Sequence, residues 1–137
     1  MRFSAELYDP EANGGSWSLL TDQMVWARSV HSATLLADGT VLMAGGYGHT
    51  GIDSGSLPEL PLRSTEIFDP GSNRWSAAKD MVAEHTGHTA TLVVCGEGCT
   101  RVLVAGSSYD VAISSTDLYD VSKGTWSEGP ARRGVGR

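Results

Sequence analysis

Short apolar runs alternate along this chain with polar, glycine-rich breaks, and no segment sustains a helical period. His31-Ser32-Ala33-Thr34-Leu35-Leu36 and Val41-Leu42-Met43-Ala44 flank Asp38-Gly39, which predicts a β-hairpin with a tight turn. His88-Thr89-Ala90-Thr91-Leu92-Val93-Val94 and Arg101-Val102-Leu103-Val104-Ala105 predict a second hairpin around a longer turn, Cys95 to Thr100. Residues 3–9 alternate and stop at Asp9-Pro10, where proline cannot donate to a ladder. Asn13-Gly14-Gly15 is a turn signal, and Trp17-Ser18-Leu19 reads as the strand leaving it. The pattern predicts an all-β chain.

The strands repeat. Ser4-Ala5-Glu6-Leu7-Tyr8-Asp9 returns as Ser64-Thr65-Glu66-Ile67-Phe68-Asp69 and as Ser115-Thr116-Asp117-Leu118-Tyr119-Asp120. A tryptophan follows each copy: Trp17, Trp75 and Trp126. A period of roughly 50 to 60 residues marks a repeat architecture. Each full unit reads as four strands: two from the apolar hairpin, one from the phrase and one from the tryptophan. Residues 1–20 then hold only the last two strands of a unit, 21–78 and 79–128 are full units, and 129–137 begin a further connector.

A four-stranded antiparallel sheet repeated at this period is a propeller blade. The chain resembles the kelch-repeat family, on Gly45-Gly46 after the second strand, the Glu-x-Tyr/Phe-Asp phrase and the tryptophan beyond it. Arg28-x-x-His31-Ser32-Ala33 with Asp38-Gly39-Thr40-Val41-Leu42 is similar to bacterial kelch proteins and to the propellers of galactose-oxidase-like enzymes. The second unit departs from the pattern, with Gly106-Ser107 for the glycine pair and His85 where Arg28 stood. About two and a half blades cannot close a ring that needs about four to eight, so the resemblance implies self-association or the remaining blades of a parent propeller.

The chain has 137 residues, of which 40% are apolar and 17 are glycine, which suits one domain of short strands and tight turns. Its net charge is −6 and its basic residues are scattered, which argues against a nucleic-acid groove or an anionic-membrane patch. No stretch has the apolar length needed to cross a bilayer, and Met1-Arg2-Phe3 leads straight into the first phrase, where no signal peptide is expected.

Candidate chemistry is sparse. Tyr8, Phe68, Tyr119, Trp17, Trp75 and Trp126 read as blade core, and Gly45 and Gly46 as places where the next blade packs closely. Gly46-Tyr47-Gly48-His49-Thr50-Gly51 matches a dinucleotide fingerprint, but the prolines and glycines that follow cannot supply the helix N-terminus it needs. No zinc spacing occurs among the histidines, so neither metal nor other cofactor is expected and no catalytic residue is assigned. Cys95 and Cys99 flank a hairpin turn and could close a disulfide, implying an extracytoplasmic setting; two reduced thiols in the cytosol are the alternative.

Strand alternation puts the connectors Leu19–Val30, Tyr47–Arg63, Ala77–Gly87 and Ser107–Ser114 on one side of the repeats. Loops on a rigid scaffold are where binding usually sits. The expectation is a non-enzymatic module that binds a protein or glycan there, through Trp26, Arg28, Tyr47, His49, Asp53, His85, Tyr109 and Asp110. The alternative is a fragment of a galactose-oxidase-like copper oxidase, although that family's copper-binding and cross-linked positions cannot be matched to residues here.

Overall fold

The computed structural model describes residues 3–50, 58–107 and 115–131, and within them every regular element is a strand. In chain order these are β1 (Glu6–Asp9), β2 (Ser16–Leu19), β3 (Trp26–Ser29), β4 (Ser32–Leu35), β5 (Val41–Ala44), β6 (Tyr47–Thr50) and β7 (Leu60–Pro61). They continue as β8 (Thr65–Asp69), β9 (Arg74–Ala77), β10 (Thr89–Gly96), β11 (Cys99–Ala105), β12 (Thr116–Asp120) and β13 (Thr125–Glu128). Two four-stranded antiparallel sheets run β4-β5-β8-β9 and β10-β11-β12-β13. The hairpin β1-β2 stands as a two-stranded sheet, and β3-β6-β7 makes a small three-stranded one.

The repeated phrase explains its own turn. Its terminal aspartate accepts backbone N–H groups just beyond the strand: Asp9 from Glu11 at 2.9 Å, Asp69 from Gly71 at 2.8 Å, Asp120 from Ser122 at 3.0 Å. Such Asx turns fold the chain back on itself. Asn13 and Asn73 take positive φ in these turns, a conformation asparagine tolerates better than most residues. The chain therefore returns with each aromatic directly opposite its tryptophan: Tyr8↔Trp17, Phe68↔Trp75 and Tyr119↔Trp126. Ring centroids lie 5.0, 5.1 and 5.0 Å apart, each pair tilted by 41° to 46°.

The main core lies between the two large sheets. Leu36, Leu42 and Ala44 of the first meet Met81 of the connector and Val102, Val104 and Tyr119 of the second. Gly45 and Gly46 sit at this junction with positive φ. A Cβ on Gly45 would strike the carbonyl oxygen of His85, which leads into the second sheet. The Gly46 N–H donates to that same oxygen at 2.8 Å. Close approach, as expected for the glycine pair, is the reason no side chain fits here.

The first pair of aromatics differs from the others in environment. Phe68 and Tyr119 are 6% and 5% exposed, whereas Tyr8 is 51% and Trp17 68% exposed. They stack in the same way, but they are not core within this chain. Cys95 and Cys99 are joined by a disulfide across the turn of the β10-β11 hairpin, with Cα atoms 5.2 Å apart. Among the described residues no helix is long and apolar enough to cross a membrane.

Candidate functional site

Two of the four connectors expected to share one side, Leu19–Val30 and Tyr47–Arg63, pair with each other as a sheet, and most of Ser107–Ser114 falls outside the described residues. β3 belongs to the connector entering the first large sheet, β6 and β7 to the one inside it, and β6 pairs with both. Gly48 permits this contact, because a Cβ there would run into the backbone of Ala27. Sequence periodicity did not predict these strands.

A buried ion pair holds this layer to the repeat. Arg28 donates through Nη2 to Glu66 Oε2 at 2.7 Å and through Nη1 to the carbonyl oxygens of Gly45 (2.7 Å) and Ser64 (3.1 Å). Glu66 also accepts from the backbone N–H groups of Val25 (2.6 Å) and Trp26 (3.3 Å), so one carboxylate fixes the whole entry to β3. The second unit places shorter side chains at the same two positions. His85 Nε2 lies 3.2 Å from Asp117 Oδ2, His85 Nδ1 donates to Gly106 O at 2.8 Å, and Ala83 N–H donates to Asp117 at 3.0 Å. Arginine meets glutamate in one unit and histidine meets aspartate in the other. Arg28 and His85, expected as ligand contacts, are thus buried in locks that position the connectors.

Beside the β3-β6-β7 sheet opens a pocket of about 480 Å³. Trp26 and the run Pro58, Leu60, Pro61 and Leu62 give it apolar walls, while Arg63, Asp80 and Glu84 supply charge. His49 also lines it, although the residue is only 6% exposed, and its Nδ1 is buried without a hydrogen-bond partner. Phe3 packs edge-on against the His49 ring with centroids 6.1 Å apart. Arg63 and Asp80 approach to 3.5 Å at the exposed rim, a pair screened by water and of little energetic weight.

Of the expected contacts, Trp26 and His49 therefore come together in one pocket. Tyr47 lies on β6, half-buried, and is not among the pocket's lining residues. Asp53, Tyr109 and Asp110 fall outside the described residues. Sequence reasoning missed Arg63, Asp80, Glu84 and the proline-flanked run, although all of them lie within the connectors Tyr47–Arg63 and Ala77–Gly87 that it grouped together.

A second histidine group lies where the large sheets adjoin. His88 Nε2 is 2.8 Å from Ser32 Oγ, and its ring is 5.8 Å from that of His85. Burial, reinforced by the neighbouring His85, pushes the His88 pKa down from 6.5 to about 4. Burial, then Arg28, also lowers that of His31. Among the described residues no group of three or more His, Cys, Asp or Glu side chains is placed to hold a metal ion.

No family model matches the chain, and no curated protein matches it. Among solved structures, the one titled "Structure of YjhT" superposes with a TM-score of 0.67 at 16% identity. The match covers 97% of this chain and 47% of that one, so the chain spans about half the length of its structural neighbour. At that identity the likeness concerns the fold alone.

Proposed function

We propose that this chain is a segment of a kelch-type β-propeller acting as a non-enzymatic binding module, with the connector face as its ligand surface. Each four-stranded sheet is then a blade, and the β1-β2 hairpin is half of another. The successive order of strands within each sheet and the matched aromatic pairs support the blade reading. One observation carries the functional reading. The paired connectors build a pocket combining an aromatic wall, an apolar wall and carboxylates, the mixed lining that ligand sites share. A protein loop or a glycan fits that lining, with apolar faces against Trp26 and hydrogen-bond donors toward Asp80 and Glu84. The disulfide supports an extracytoplasmic setting.

The test is a screen of immobilised glycans and candidate proteins with the purified chain, repeated with variants. Trp26→Ala and Glu84→Gln should abolish any binding found, while Val94→Ser, exposed by the turn of the β10-β11 hairpin, should leave it intact. Equal loss in all three, or ligand binding that ignores Trp26, contradicts the proposal. Copper measured on the same protein separates it from an oxidase fragment, since stoichiometric metal would contradict a non-enzymatic module.

A further inference from the structure

We propose that the pocket beside β3, β6 and β7 takes an arginine side chain of a partner protein, with the guanidinium stacked on Trp26 and its charge met by Glu84. The proposal rests on the connector face being a ligand surface, and it names the chemistry of the ligand. Charge decides first. Among the lining side chains Arg63 carries one positive charge, Asp80 and Glu84 two negative ones. Arg63 and Asp80 answer each other at 3.5 Å. Glu84 is exposed and has no ion-pair partner among the described residues. The lining thus keeps one uncompensated carboxylate, in a chain whose net charge is −6. A singly charged cation complements it, and an anion is repelled.

The walls select arginine among cations. Trp26 is half-buried and lines the cavity. A planar, weakly hydrated guanidinium stacks on such a ring, whereas an ammonium holds its water more tightly. Leu60, Pro61 and Leu62 form an apolar wall for the aliphatic stem, which long basic side chains lay along apolar surface while the charged head stays with polar partners. The cavity of about 480 Å³ has room for that side chain and the backbone carrying it. His49 adds an unused hydrogen-bonding atom, since it lines the same cavity at 6% exposure and its Nδ1 has no partner. A guanidinium has five N–H donors, and one turned inward relieves the cost of leaving that nitrogen unpaired, in the tautomer with its proton on Nε2. A neutral sugar could also stack on Trp26, but it would leave the charge of Glu84 unanswered.

The probe is a capped peptide with one arginine between glycine pairs, titrated into the full chain and followed by NMR. Saturable shifts of the Trp26 indole and Glu84 amide signals are expected. The same peptide carrying citrulline, the uncharged isostere of arginine, should bind about tenfold more weakly or less, with the lysine peptide in between. Glu84→Gln should abolish the arginine response, and because Glu84 is exposed, signals outside the pocket should stay in place. Equal binding of the arginine and citrulline peptides, an arginine response unchanged in Glu84→Gln, or no saturable response overturns the proposal. The failures are distinguishable. A neutral glycan that shifts the Trp26 signal where the arginine peptide does not overturns the arginine inference and leaves the ligand surface standing. A glycan or protein that binds without moving Trp26 overturns both.

Discussion

The hairpins β1-β2 and β8-β9 are built from the same phrase, the same Asx turn and the same stacked aromatic pair, yet they live in different surroundings. Phe68 is 6% exposed and Tyr8 51%; Glu66 is sealed beneath Arg28 while Glu6 faces solvent. Local sequence is therefore sufficient for the hairpin and its stacking, and burial is conferred by the adjoining strand and the connector cation. Repeat proteins are stabilised by neighbours in this way, and a unit without them keeps its shape and loses most of its energy.

The comparison breaks most sharply at the carboxylates. Glu66→Gln removes one partner of a buried pair and strands Arg28, a change that costs about 3–5 kcal/mol. Glu6→Gln should fall within about 0.5 kcal/mol of the parent, as exposed substitutions do. Chemical denaturation of both variants checks the contrast. The aromatics give a smaller one: Trp75→Ala should cost about 3 kcal/mol, while Trp17→Ala, mostly exposed, costs far less. Matching losses would show that the first hairpin is buried in solution.

The two apolar hairpins offer the next comparison. β4-β5 closes on Asp38-Gly39 and β10-β11 on the Cys95–Cys99 disulfide. The loop closed is short, so reduction should lower stability by about 2 kcal/mol at most, read from melts with and without reductant. Acid acts between the sheets. His88 has a folded pKa of about 4, below its ordinary 6.5, so the unfolded chain binds more protons between those values. Stability should be complete above pH 6.5 and fall as pH drops toward 4, by about 1 kcal/mol once partial exposure is allowed for. His88→Gln should flatten that part of the profile.

Much of this fold was legible because its signals are local. Asp38-Gly39 announced one hairpin, the phrase located β1, β8 and β12, and the tryptophans located β2, β9 and β13. β3, β6 and β7 were not legible. Their pairing joins distant connectors, and β7 contains Pro61, which reads as a break. His49 was read as a loop residue for the same reason: only that pairing buries it. The locks left a usable signal, since Arg28 becomes His85 where Glu66 becomes Asp117, a paired exchange between units. Read singly, the histidine was only a departure from the repeat. The pocket's residues carry no periodicity, and the grouping of their connectors was all that strand alternation could supply.

Amide hydrogen exchange on the unmodified chain tests the central claim, that identical hairpins differ only through their neighbours. Exchange in β8 and β12 should be far slower than in β1, most of all at the outward-facing amides that β5 and β11 cover in the complete sheets. Equal protection of β1, β8 and β12 would contradict the account, because it would mean the first hairpin needs no neighbour to be stable.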